Sequence, residues 1–316
     1  MLVETAQSEL KDISVDRIDR NPDNPRAIFR PAELDDLLLS ITQYGVQVPI
    51  SVYREGRRYV LIDGERRWRC CLKLNKRTIP AVVQDKPDPL TNLLLMFNIH
   101  ALREQWDLLT IALKLPKIID LLEQKNGSPP TERELSEHTG LRRGVIRRCR
   151  LLINLPDEYK QEILKELKKP KPDQLLTEDF FIEMERALKT VENAMPNVIP
   201  RKDDVRQVLI QKFKDRVIDN RVHFRQMAKI ARADNVEADR AAAQRALRRL
   251  FKENEYSIET AYQDSVSVAY SERDLLTRVN SLVEQLEDYD VEALDDEVRR
   301  ALRKLVRKAK VLLEGE

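Results

Sequence analysis

The sequence of 316 residues contains few cysteines, glycines and histidines, and it has no long apolar run. Three cysteines (Cys70, Cys71 and Cys149) without a CxxC pair exclude a disulfide framework and a structural zinc site. No stretch approaches the ~18 apolar residues of a membrane-spanning helix, and the opening residues lack the apolar stretch of an export signal. We therefore expect a cytoplasmic protein without membrane contact.

Proline is absent after Pro200, and Gly315 is the only glycine after Gly144. Residues 201–316 are therefore predicted to be helical. Their charge lies in blocks: 201–252 has fifteen Lys/Arg against seven Asp/Glu, 253–296 has two against thirteen, and 299–310 has seven basic residues and no acid. Such blocks are typical of interaction surfaces or of solvated helical faces that pair with one another, and both interpretations stay open.

Two stripes of leucine and valine at helical spacing follow in the same region, from Leu275 to Leu286 and from Leu294 to Leu312. Packing within one chain explains them as well as dimerisation does. We favour a self-pairing helical hairpin, because DNA-binding proteins that read symmetric sites commonly work as dimers.

Residues 10–85 have a mixed α/β pattern. The segment 32–45 has helical spacing and ends at Gly45, residues 48–64 predict two strands around the turn Glu55-Gly56, and 78–85 predict a third. A Pro/Asp linker follows, and then one long helix is predicted from Leu90 to about Glu123.

A helix-turn-helix pattern occupies 131–153. Thr131 and Glu134 fit a capping box, and Gly140 suits a tight turn. The second helix contains five arginines and no acid, with Arg142, Arg143, Arg147 and Arg148 expected on its outer side. Guanidinium groups bind phosphate and guanine, so this pattern favours DNA binding over a helical hairpin with a solvated basic face.

The segment Gly64-Glu65-Arg66-Arg67 follows an apolar strand and begins a helix. Free amides at a helix N-terminus, together with arginine side chains, favour a bound phosphate. On this pattern alone, adjacent arginines more often belong to a solvated basic face, and that interpretation stays open.

Four elements in order make the sequence resemble the ParB family of plasmid and chromosome partition proteins. They are the segments 18–26, 40–50, 64–69 and 75–81, which read IDRNPDNPR, SITQYGVQVPI, GERRWR and NKRTIPA. The segment 150–156, RLLINLP, resembles the signature that follows the family's helix-turn-helix, with one extra residue. The resemblance spans about residues 12–160.

The resemblance implies an α+β N-terminal domain of the ParB/sulfiredoxin type, then an all-α helix-turn-helix domain and a helical C-terminal region. It also implies a DNA clamp that binds CTP, or another nucleoside triphosphate, with Mg²⁺ as a candidate ion. The residues it assigns to the nucleotide are Gly45, Gln47, Pro49, Gly64, Glu65, Arg66, Arg67, Asn98, Arg103 and Glu104, with Arg26 as a neighbour.

One departure from the family concerns hydrolysis. Phe97 stands where the family has a metal-binding glutamate, and Arg103-Glu104 match only with two residues inserted. Phenylalanine cannot ligate a cation, so slow or absent hydrolysis is expected. No catalytic residue is assigned.

The predicted domains are a nucleotide-binding domain over 1–89, a linker helix over 90–126, a helix-turn-helix domain over 127–200 and a helical region over 201–316 that is a candidate for dimerisation. Expected partners are double-stranded DNA, a second copy of the chain and a partition ATPase, at the nucleoid or a plasmid. Two alternatives remain open: a nucleotide-independent transcriptional regulator or scaffold, and a small-molecule kinase of the ParB/sulfiredoxin superfamily.

Overall fold

The computed structural model describes residues 9–24, 31–101, 107–287, 289 and 294–314. The chain divides into two compact units, Met1–Arg186 and Ala187–Glu316. Each unit is described by itself below.

The first unit contains a mixed sheet whose strands lie in the order β1-β5-β3-β4-β2. The strands are β1 (Glu9–Ser14), β2 (Ile18–Asp19), β3 (Ile50–Glu55), β4 (Arg58–Asp63) and β5 (Thr78–Gln84). The β1–β5 and β3–β4 pairs are antiparallel, whereas β3 pairs with β5 and β2 with β4 in parallel.

The three predicted strands are present as β3, β4 and β5, but β1 and β2 were missed. Strand β1 lies at an edge, and its first four residues are exposed, so it lacks the apolar alternation of a half-buried strand. Strand β2 has only two residues. Neither strand leaves a periodic signal in the sequence.

The helices of the first unit surround and follow this sheet. They are α1 (Pro31–Tyr44), α2 (Glu65–Lys73), α3 (Pro89–Ala101), α4 (Leu108–Asn126), α5 (Glu132–Thr139), α6 (Arg143–Ile153) and α7 (Asp157–Leu167), and α8 (Glu178–Ala194) crosses the boundary between the units. Helices α1 and α2 bury their apolar sides against the sheet core, which includes Ile50, Leu61 and Ile79.

The prediction of a single helix from Leu90 to Glu123 is wrong for this segment. It is two helices, α3 and α4, because Asp107 has an extended backbone (φ −65°, ψ 145°) just before α4 begins. Pro116 lies inside α4 without ending it. The amide of Leu109, in the first turn of α4, donates a hydrogen bond to Glu178 Oε1 at 2.5 Å.

The second unit is helical, as the absence of proline and internal glycine predicts. It contains α9 (Lys202–Lys214), α10 (Phe224–Ala231), α11 (Arg240–Leu250), α12 (Ile258–Gln263), α13 (Ser267–Glu287) and α14 (Asp296–Glu314). Helices α10, α11 and α12 pack together around fully buried side chains such as Met227 and Leu247. Lys212, also buried, donates from Nζ to the carbonyls of Glu253 and Tyr256 at 2.6 and 2.5 Å.

Helices α13 and α14 differ from the rest of the second unit, because no residue in either is buried. A cavity of about 390 Å³ lies between them and is lined by apolar side chains that include Leu286, Leu294 and Leu302. Leu275, Leu276 and Leu312 are more than half exposed.

No helix in the described part of the chain combines the length and the apolar character that a membrane span requires.

The burial of Glu178 predicts that the stability of the first unit depends on pH. Burial raises the pKa of its carboxyl group above the usual 4.5, so the folded protein keeps a proton that the unfolded chain has already lost. The wild-type protein therefore loses stability, relative to Glu178→Gln, as the pH rises above 4.5. The glutamine keeps an oxygen acceptor for Leu109 and cannot ionise.

We expect the free energy of unfolding of Glu178→Gln minus that of the wild type to increase from pH 4 to pH 8. Urea denaturation at four pH values measures it. A difference that is constant with pH would contradict the prediction.

Candidate functional site

The turn between β4 and α2 is built around Gly64. This residue has φ +97°, a conformation that favours glycine, and it occupies the N-cap position of α2. A Cβ atom at this position would lie 2.5 Å from Cγ2 of Ile50, so there is no room for a side chain. The close approach brings the start of α2 against the start of β3.

Arg67 joins two of the segments that the sequence assigned to the nucleotide. Its Nη1 donates to the carbonyls of Val48 and Pro49, both at 2.6 Å, and its Nη2 donates to Asp63 Oδ2 at 2.9 Å. The segment 45–49 and the segment 64–67 are therefore held together, although fourteen residues separate them in sequence. Within the first of them, Gln47 donates to the Tyr44 carbonyl.

Glu65, the first residue of α2, has a buried side chain that accepts hydrogen bonds from three neighbours. Arg20 Nε lies 2.7 Å and Arg69 Nη2 2.6 Å from Oε1, and Asn24 Nδ2 lies 2.6 Å from Oε2. The pairing with Arg69 follows from helical i,i+4 spacing. The pairing with Arg20 has no local signal, because it depends on how β2 is placed beside β4.

The start of α2 is suited to an anion. Arg66, Arg67 and Arg69 are half-buried there, and the first amides of the helix have no intrahelical acceptor. The two cysteines one turn later, Cys70 and Cys71, are fully buried, and burial raises the pKa of both thiols. They are core residues and not nucleophiles.

The remaining nucleotide residues from the sequence lie in or after α3. Phe97 is fully buried. Asn98 lies in α3, although the structure does not describe its side chain, and Arg26, Arg103 and Glu104 lie outside the described residues. Within the described residues, no group of three or more His, Cys, Asp or Glu side chains could hold a metal ion.

The helix pair α5–α6 begins with the predicted capping box. The amide of Glu134 donates to Thr131 Oγ1 at 3.2 Å, and the amide of Thr131 donates to Glu134 Oε2 at 2.7 Å. Gly140 ends α5 with φ 72°, and Ser136 Oγ donates to the Leu141 carbonyl at 2.7 Å. These bonds fix the turn from which α6 starts.

Carboxylates that sequence reasoning missed occupy part of the arginine face of α6. Glu132 Oε2 accepts from Arg147 Nε at 2.9 Å and Oε1 lies 3.5 Å from Arg150, while Arg148 pairs with Asp179. The hydrogen bond from Arg147 lowers the pKa of Glu132. Arg147 nevertheless stays 63% exposed, so this arginine is oriented but still accessible.

Arg142 and Arg143 lie at the first turn of α6, at the N-cap and the first helical position, and both are exposed. Cys149, on the opposite side, is fully buried, and burial raises its pKa to about 12. Cys149 is therefore a core residue. Helix α6 packs with this buried side against α4.

Known proteins resemble part of this chain. The family model of the ParB N-terminal domain matches residues 2–98. A probable chromosome-partitioning protein ParB from Pseudomonas putida is 33% identical over 160 residues, which cover 50% of this chain and 52% of that protein. A nucleoid occlusion protein from Bacillus pumilus is 30% identical over 165 residues, covering 51% and 54%. The chain thus spans about half the length of the curated relatives it matches.

Solved structures of ParB from Caulobacter crescentus, both C-terminally truncated, are also similar. The complex with CTP-gamma-S is 28% identical, covers 50% of this chain and 86% of that one, and has a TM-score of 0.29. The complex with the centromeric parS site is 23% identical, covers 70% and 98%, and has a TM-score of 0.42.

The matched region 2–98 contains the whole described sheet, the Gly64 turn and helices α1 to α2. These features and the family match lead to one conclusion: residues 2–98 correspond to the ParB N-terminal domain.

Proposed function

We propose that this protein is a DNA-binding partition protein that binds a nucleoside triphosphate at the Gly64 turn and DNA through α6. The observation that carries the proposal is the convergence of the segments 45–49 and 64–67 through Arg67. Cationic side chains at a glycine-bounded helix start favour phosphate groups. The match of residues 2–98 to the ParB N-terminal domain and the similarity to a probable chromosome-partitioning protein support the same interpretation.

CTP is the first nucleotide to test, because it is the one whose analogue is bound in the Caulobacter relative. Its phosphates would lie against Gly64, Arg66 and Arg67, and its nucleoside against Gly45, Gln47 and Pro49. Mg²⁺, where bound, would neutralise phosphate charge. Since Phe97 is fully buried and offers no oxygen ligand for a cation, hydrolysis is expected to be slow, and the bound state is expected to persist.

The DNA proposal depends on the outer side of α6, with Thr131 holding the preceding helix in place. Arg142 and Arg143 would contact phosphates, whereas Arg147, oriented by Glu132, is the candidate for contacts with a base edge. Arg148 would have to exchange Asp179 for a phosphate. The protein would then act at the nucleoid or on a plasmid, with a partition ATPase as a further candidate partner.

Dimerisation through α13 and α14 is proposed on a separate observation. Both helices carry exposed leucine and valine side chains and no buried residue. Apolar surface of this extent on a helical hairpin is stabilised when a second copy covers it. Helix α14 carries seven basic residues between 299 and 310, which would face the acidic segment 253–296 of the second copy.

The nucleotide proposal predicts that Arg66→Met weakens CTP binding by about ten- to a hundredfold, because a hydrogen bond to a charged group contributes about 1.5–3 kcal/mol. Isothermal titration calorimetry with CTP, ATP and GTP measures it. Arg57→Met, which removes an exposed guanidinium at the β3–β4 turn, is the control and should bind as the wild type does.

If wild-type protein binds no nucleotide at millimolar concentration, the domain is a scaffold. Turnover of a small hydroxyl substrate with ATP in the absence of DNA would instead support the kinase alternative.

The DNA proposal predicts that replacing Arg142, Arg143, Arg147 and Arg148 by alanine abolishes site-specific binding. Each base-contacting arginine should contribute about 1–3 kcal/mol, and each lost phosphate contact should lower the slope of log K against log salt by about one. Fluorescence anisotropy with DNA fragments from the gene's own locus measures both quantities.

Arg54→Ala, an exposed arginine at the end of β3, is the control for that experiment. Unchanged affinity in the fourfold variant would refute the assignment of α6. Site binding that is the same with and without nucleotide would favour the regulator alternative over the clamp.

The dimer proposal predicts that Val279→Asp converts a dimer into a monomer, because the charge would be placed on the apolar face of α13. Sedimentation velocity at several protein concentrations measures the change. Asn280→Asp introduces the same charge at the neighbouring position of the helix and should leave the dimer intact. A wild-type protein that is monomeric at all concentrations would contradict the proposal.

A further inference from the structure

Glu65 is a buried carboxylate at the centre of the candidate phosphate site. Its side chain is only 4% exposed, and a carboxylate removed from water is costly unless donors surround it. Three protein side chains supply those donors: Arg20, Asn24 and Arg69. A carboxylate committed in this way repels phosphate and does not ligate it.

Arg20 is the donor that reaches Glu65 from outside the segment 64–69. It directly follows β2, and its Nε lies 2.7 Å from Glu65 Oε1 while 53% of its side chain stays exposed. A guanidinium has five N–H groups in a planar fork, so binding Glu65 through Nε leaves donor capacity on the same side chain. Arg20 therefore adds a cation beside the three arginines of α2.

The segment 20–24 is held in place independently of Glu65. Asn21, which is buried, donates from Nδ2 to Asn92 Oδ1 of α3 at 3.1 Å. Lys114 Nζ of α4 donates to the Pro22 carbonyl at 3.2 Å, and Lys117 of α4 pairs with Asp23. Because this segment is fixed to both helices, the position of Arg20 is set before any ligand binds, which lowers the entropy cost of binding.

We propose that Arg20 is a further phosphate ligand of the nucleotide site and that Glu65 is the positioning residue that orients it. The Glu65 carboxylate holds Arg20 and Arg69 through its Oε1 at the helix start, so that their guanidiniums extend the cradle made by Gly64 and Arg66. The ligand class is the triphosphate of a nucleotide. This inference rests on the proposed function, since it concerns the same site.

A double-mutant cycle on CTP affinity tests the inference in the full-length protein. The variants are Glu65→Gln, Arg20→Met and the pair together, each measured by isothermal titration calorimetry. We expect each single change to weaken CTP binding about tenfold. Because Glu65 acts through Arg20, the CTP affinity of the double variant should equal that of the single variant with the lower affinity.

Two further variants separate positioning from general stability. Arg20→Lys keeps the charge without the planar fork and should recover part of the affinity lost in Arg20→Met. Glu55→Gln makes the same chemical change in the exposed ion pair with Lys86 and should leave CTP binding unaltered. Thermal unfolding of every variant checks that the domain is folded; if Glu65→Gln does not fold, Arg20→Met and Arg20→Lys still test the ligand role of Arg20.

Each outcome is decisive. Unchanged affinity in Arg20→Met overturns the assignment of Arg20, and additive losses in the cycle overturn the action of Glu65 through Arg20, while the nucleotide site itself stands in both cases. Failure of the proposed function has a different signature: the wild-type protein itself would bind no nucleotide, and this inference would fall with it.

Discussion

The contact between Gly64 and Ile50 is the constraint on which the N-terminal domain depends. Gly64 adopts φ +97°, and a Cβ there would meet Ile50 Cγ2 at 2.5 Å, so the first strand of the β3–β4 hairpin and the start of α2 approach more closely than any other residue would allow. This approach brings Arg67 within reach of the Val48 and Pro49 carbonyls. The same turn places Glu65 inward, and the candidate anion site follows from one backbone conformation.

Arginine chemistry connects the two candidate sites of the first unit. At both, an acidic side chain holds an arginine in a defined direction: Glu65 holds Arg20 and Arg69, and Glu132 holds Arg147 and Arg150. An arginine fixed in this way loses less side-chain entropy when it binds a phosphate or a base. The acid also reduces the local positive charge, so non-specific attraction to phosphate is weaker than a count of arginines suggests.

The second unit combines a packed part with an open part. Helices α10 to α12 surround fully buried residues, and Lys212 ties α9 to the carbonyls of Glu253 and Tyr256. Burial lowers the pKa of Lys212 to about 8, so those two carbonyl acceptors compensate a charge that is costly to bury. Helices α13 and α14, in contrast, bury no residue, so their apolar stripes lie at the surface of the second unit.

The sequence by itself determined the elements whose signals are local. The capping box at Thr131, the turn at Gly140, the strands on either side of Gly56 and the helical character of 201–316 follow from residues a few positions apart. The family resemblance was also readable, because its motifs are short and occur in order. The edge strand β1 and the break at Asp107 were not, since an exposed strand and an extended residue between apolar helices leave no periodicity.

Only the tertiary structure decided which charges on different helices and strands face one another. The bond between Arg20 and Glu65 joins the residue after β2 to α2, and that between Arg148 and Asp179 joins α6 to α8. No spacing rule relates such positions, because their distance is set by how strands pair and helices pack. A sequence shows that arginines are abundant at a helix start. The fold decides whether each of these arginines contacts a carboxylate, a carbonyl or solvent. It therefore also decides how many of them are left to bind a ligand.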